Sequence, residues 1–60
     1  MKKGELIKIL KKSGCYLKRE GTRHEIWISP ITQNMFEVPR HAKEITVGTL
    51  NKILKDAGLK

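Results

Sequence analysis

Between residues 4 and 13, Leu6, Ile7, Ile9 and Leu10 fall on one arc at about 3.6 residues per turn, and Lys8, Lys11 and Lys12 fall on the opposite arc. This pattern predicts an amphipathic helix. Gly14 supplies its left-handed stop, and the lysines of the last turn complement the helix dipole. The period then changes. Residues 15–20, with Cys15, Tyr16 and Leu17, predict a first strand, and Glu20-Gly21-Thr22 a turn. Residues 24–29 predict a second strand, which ends at Pro30 because proline cannot donate a ladder hydrogen bond. Pro30 to Asn34 form a second hairpin loop, and Met35 to Val38 a third strand stopped by Pro39. Residues 39–45 read as a basic loop. Thr46 is a plausible N-cap for a second helix, in which Val47, Leu50, Ile53, Leu54 and Ala57 share one arc. Lys52 and Lys55 lie off that arc, and Gly58 closes the helix. Gly48 costs helix propensity in the first turn, but it leaves the helix N-terminus open to a partner or phosphate.

The order α-β-β-β-α predicts an α+β fold, one domain over residues 1–60. Connections this short permit only antiparallel strands. Two amphipathic helices around a three-stranded meander bury their stripes most simply on one face of the sheet. Alternation leaves the buried face of the second strand open. Ile26 and Ile28 share a face with His24, and Trp27 shares one with Glu25. The reading adopted is that Trp27 is buried, which turns His24 outward.

Sixty residues bury only about 60% of the unfolded surface, so an active site here is a surface feature or a shallow groove. The single Cys15 has no disulfide partner; it reads as a small buried apolar residue and fits a reducing, cytoplasmic setting. Met1-Lys2-Lys3 starts like a signal peptide, but Lys8, Lys11 and Lys12 interrupt any apolar run, and no window has the length of a membrane span. A soluble protein with no membrane association is expected. Thirteen Lys and Arg against six Asp and Glu give a net charge of +7. Such an excess implies an anionic partner. Residues 1–20 carry seven of the cations and residues 42–60 four, so the positive charge flanks the His24 segment in sequence.

Gly21-Thr22-Arg23-His24 runs from a turn into the β-branched and aromatic Ile26-Trp27-Ile28. A histidine at a strand start is held rigidly and still meets solvent; it exchanges protons near neutral pH, and the neighbouring guanidinium of Arg23 can hold a phosphate. His24 and His41 have no close partner at metal-ligand spacing, so neither a metal nor a cofactor is expected. Glu25 and Glu37 would face each other across strands two and three, ion-paired with basic neighbours. Histidine with basic side chains suits cleavage of RNA, where the ribose 2′-hydroxyl is already the nucleophile. The protein then supplies only proton transfer and positive charge.

The first helix, the Gly21-Thr22-Arg23-His24 run followed by Glu25-Ile26-Trp27, the later Val38-Pro39-Arg40-His41, and the terminal Gly48-Thr49-Leu50, Ile53-Leu54 and Ala57-Gly58-Leu59 together resemble the HicA family of bacterial toxins. The resemblance covers essentially the whole chain. It implies a fold like that of double-stranded-RNA-binding domains and an mRNA interferase activity. It also implies His24 as the catalytic residue, following the family's Gly-Ser/Thr-x sequence, and a HicB-type antitoxin that covers this site. His41 is given only a supporting role. Arg23 and Arg40 are expected to hold phosphate, with Lys8, Lys11, Lys12, Lys52 and Lys55 supplying attraction to mRNA.

Two other readings stay open. A non-catalytic module of the same fold could bind double-stranded RNA through phosphates and 2′-hydroxyls; it would bind without cutting. A purely protein-binding partner would match its charge to an acidic antitoxin and show strongly salt-dependent association.

Overall fold

A computed structural model describes all sixty residues. Helix α1 spans Lys3–Lys12, strands β1 Tyr16–Glu20, β2 His24–Ile28 and β3 Met35–Pro39, and helix α2 Val47–Asp56. The strands form one antiparallel sheet in the order β1-β2-β3. This is the α-β-β-β-α arrangement expected. Cys15 is buried as expected, although it lies just before β1 rather than on it.

Both helices end the same way. Gly14 has φ +91° and Gly58 φ +80°, the left-handed conformation that glycine adopts without a Cβ penalty. Gly14 N–H donates to Lys11 O and Cys15 N–H to Leu10 O; Gly58 N–H donates to Lys55 O and Leu59 N–H to Leu54 O. The last orphan carbonyls of each helix are thereby satisfied. At the other end, Lys3 N–H donates to Lys43 O, and Ile45 N–H to Met1 O. This short bridge through Lys2 and Glu44 sets the two helix starts side by side. The segment read as a plain basic loop is therefore partly a pairing partner for the N-terminus.

One face of the sheet carries the core. Trp27, Phe36 and Val38 pack with Leu6 and Leu10 of α1 and Ile53 and Ala57 of α2, joined by Cys15 and Ile45. Burying a Leu or Ile side chain is worth about 1.5–3 kcal/mol, so this cluster holds both helices on the same face. Its arcs are narrower than the sequence suggested. Ile9 is 37% exposed and Val47 72%, because Leu6/Leu10 and Ile53/Ala57, four residues apart, already fill the contact with the sheet. Thr46 occupies the N-cap position without capping; its hydroxyl donates to Thr49 Oγ1 instead.

The β2–β3 loop locks the far end. Buried Ser29 donates its hydroxyl to Ala57 O at 2.7 Å, and Thr32 donates to Asp56 O at 2.7 Å. Register sets Trp27 opposite Phe36 and Glu25 opposite Val38 on the core side, and Ile26 opposite Glu37 and His24 opposite Pro39 on the outer side. Glu25 and Glu37 thus lie on opposite faces. The expectation that they face each other is corrected by one residue of register, which flips every side chain.

Candidate active site

With Trp27 buried, His24 stands on the outer face at the first position of β2. Four contacts fix the turn that delivers it. Gly21 N–H donates to His24 O at 2.8 Å. Arg40 N–H donates to Arg23 O at 2.9 Å. The Arg40 guanidinium donates to Gly21 O at 2.9 Å and pairs with Glu20 at 3.5 Å. A Cβ on Gly21 would lie 3.0 Å from the His24 carbonyl oxygen, which explains the glycine at the turn. Arg40, expected to hold phosphate, is engaged with the turn itself.

Behind the turn, Glu25 points into the core side. It accepts from Lys3 Nζ at 3.0 Å and from Trp27 Nε1 at 3.1 Å, and Lys3 also donates to Arg40 O. Burial by itself would raise the Glu25 pKa. The hydrogen bonds from Trp27 and Lys3, with the charges of Lys3 and Arg40, outweigh it and hold the carboxyl below its ordinary value. The carboxylate is thus an ionised strut linking α1, β2 and the residue that braces the turn.

The His24 side chain is 50% exposed, and its Nδ1 lies 3.9 Å from Glu37 Oε2 on β3. Beyond β3, a cleft of about 300 Å³ runs from His24 along Glu37 and Pro39 to Thr49, Lys52 and Asp56 on α2. Thr49, Lys52 and Asp56 recur at helical spacing, so one stripe of α2 forms the cleft's far wall. The arrangement offers one imidazole on a rigid strand, one ammonium across from it, and the exposed Arg23 beside it. No group of three or more His, Cys, Asp or Glu side chains comes together that could hold a metal ion.

Of the basic residues singled out from sequence, Lys52 shares the cleft with His24, and Arg23 and Arg40 belong to its turn. Lys8, Lys11 and Lys12 are on α1, in the layer behind the sheet, and are not brought to His24. Lys55 and His41 do not line the cleft either. Two cations were missed: Lys18 and Arg19, which reach the outer face together beside Ile26. No local signal set them apart: Cys15-Tyr16-Leu17 followed by Lys18-Arg19-Glu20 shows no alternation, and the bulge that brings the two together is a feature of the β1–β2 pairing.

A family model described as HicA toxin of bacterial toxin-antitoxin matches residues 4–59, nearly the whole chain. No curated protein and no solved structure matches it.

Proposed function

The chain belongs to the HicA family of toxins of bacterial toxin–antitoxin systems, and we propose that it is a metal-independent endoribonuclease that cuts mRNA in the cytoplasm and so blocks translation. His24 is its catalytic residue, and an antitoxin of the HicB type neutralises it by covering the cleft. The observation that carries the reading is the His24 imidazole, half exposed on a rigid strand in a cleft shared with Lys52.

The chemistry needs little more. The imidazole takes the proton of a ribose 2′-hydroxyl, and the 2′-oxygen bonds to phosphorus. The bond to the 5′-oxygen breaks and that oxygen collects a proton from water, while the imidazolium returns its own to solvent, leaving a 2′,3′-cyclic phosphate and a 5′-hydroxyl. Lys52 and Arg23 face the charge that builds on the phosphorane, the kind of stabilisation that is usually the largest contribution to such reactions. Arg40 acts at one remove, as a positioning residue that holds the turn. No helix is long and apolar enough to cross a membrane.

The cellular test is induced expression of the wild-type chain and of His24→Ala, with and without a HicB-type antitoxin. Growth arrest with mRNA loss should occur only with the wild type, and the antitoxin should relieve it. Equal arrest by both proteins would remove His24 from the mechanism.

A further inference from the structure

Next to His24 on the outer face of the sheet, but outside its cleft, Lys18, Arg19, Ile26 and Met35 line a second hollow of about 410 Å³, with Phe36 and Glu37 on its β3 side. A backbone irregularity makes it. In a regular strand Lys18 and Arg19 would point to opposite faces. Here the β1–β2 register steps from Leu17–Trp27 to Arg19–Ile26, so Lys18 is the extra residue of a bulge and both side chains line the same hollow. Bulges of this kind re-aim side chains and recur beside active sites. Lys3 and Arg40 spend their charge on Glu25 and Glu20; Lys18 and Arg19 have no such ion pair. Beside them lies an apolar floor of half-buried Ile26 and exposed Met35, 57% accessible.

Two unneutralised cations beside an exposed apolar floor match a nucleotide, with phosphate at one side and base at the other. The distance also fits. His24 and Ile26 are two residues apart on one face of β2, about 7 Å at a rise of roughly 3.4 Å per residue. That is on the order of one extended nucleotide. Glu37, between hollow and cleft, repels phosphate and leaves the β1 side for it. A base within a duplex has no free face to lay on this floor, whereas sequence-specific recognition of RNA acts mostly on unpaired bases.

We propose that this hollow is the subsite for the nucleotide adjoining the cut in single-stranded RNA: Lys18 and Arg19 hold its phosphate, and Ile26 with Met35 seats its base. The inference rests on the endoribonuclease reading, and it makes the substrate unpaired RNA.

The test is a Lys18→Gln/Arg19→Gln double variant, whose exposed positions leave folding intact by circular dichroism. Cleavage of a labelled single-stranded oligonucleotide is measured, and binding of the same oligonucleotide is measured in a His24→Ala background. The double variant should raise KM about tenfold with kcat within about twofold. Its plot of log affinity against log salt should flatten by about 0.7, the loss of one phosphate contact on a single strand. Met35→Ala should relax the base preference beside the cut. Unchanged binding and salt slope in the double variant would overturn the subsite, as would a duplex bound as tightly as the single strand. Absence of cutting by the wild type would overturn the nuclease reading instead, and the binding comparison would still judge the hollow.

Discussion

Diagonally across β2 and β3, Nδ1 of His24 lies 3.9 Å from Oε2 of Glu37. The register produces this, because Ile26 sits opposite Glu37 and Pro39 opposite His24. A carboxylate beside one ring nitrogen orients the imidazole and leaves the other nitrogen for substrate. Both groups are half or more exposed, so the contact is worth at most about 1 kcal/mol. Glu37→Gln should therefore lower kcat on the order of fivefold without raising KM. Steady-state kinetics on a short RNA measure this, and an unaltered kcat would show the contact to be idle.

Arg40 braces the turn from two sides, by its backbone N–H to Arg23 O and by its guanidinium to Gly21 O and Glu20. Arg40→Ala should cut kcat more than Glu37→Gln does while costing only about 1 kcal/mol of stability. Arg40→Lys should recover little, since an ammonium cannot reproduce the planar fork that spans both acceptors. Parallel kinetics and urea unfolding separate the two effects. A loss of activity no larger than the loss of folded protein would reduce Arg40 to a structural residue.

Glu25 gives the fold a pH dependence with a defined sign. Its carboxyl is held below the ordinary 4.5, so the stability it contributes is present above the unfolded pKa and is lost as pH falls through the folded one. The thermal midpoint of the wild type should drop as pH falls below about 4.3, and Glu25→Gln should flatten that dependence. At neutral pH Glu25→Gln should be less stable by about 2–3 kcal/mol, because it strands the largely buried Lys3 ammonium. Melting curves at several pH values check both statements.

Gly58 combines a left-handed φ with no free space. A Cβ there would lie 2.8 Å from Thr32 Cγ2 and 2.9 Å from Ile31 Cγ2. Gly58→Ala should destabilise by about 2 kcal/mol, lowering Tm on the order of 10 °C in a domain this small. Gly4→Ala, where a Cβ meets nothing within 4 Å, serves as the control and should be neutral or stabilising. Equal Tm values for the two variants would contradict this account of the helix stop.

The element order was legible because each helix carries its own periodic stripe and its own glycine stop, and because prolines and turn residues bound the strands. Local signals of that kind survive folding unchanged. The face of His24 was left open by alternation; the bulk of Trp27, which pairs with Phe36 over the helices, decides it. What the sequence hid is long-range. The Lys3–Glu25–Trp27 strut joins residues twenty-two apart, and nothing local in Lys3 distinguishes it from Lys2 or Lys8. The charge on α1 looked adjacent to the site because helix and site are adjacent in the chain, yet the sheet stands between them. The bulge that pairs Lys18 with Arg19 left no mark in the run from Cys15 to Glu20, which does not alternate, and it decides which cations share a face with His24.

The most direct test of the account is cleavage of a purified mRNA in EDTA by the wild type and by His24→Ala, with the product ends analysed. The expected result is cutting by the wild type that survives chelation, ends in 2′,3′-cyclic phosphate and 5′-hydroxyl, and falls by about 10²- to 10⁴-fold in the variant, the usual contribution of one positioned proton-transfer group. Equal cutting by both proteins, or cutting that EDTA abolishes, would contradict it.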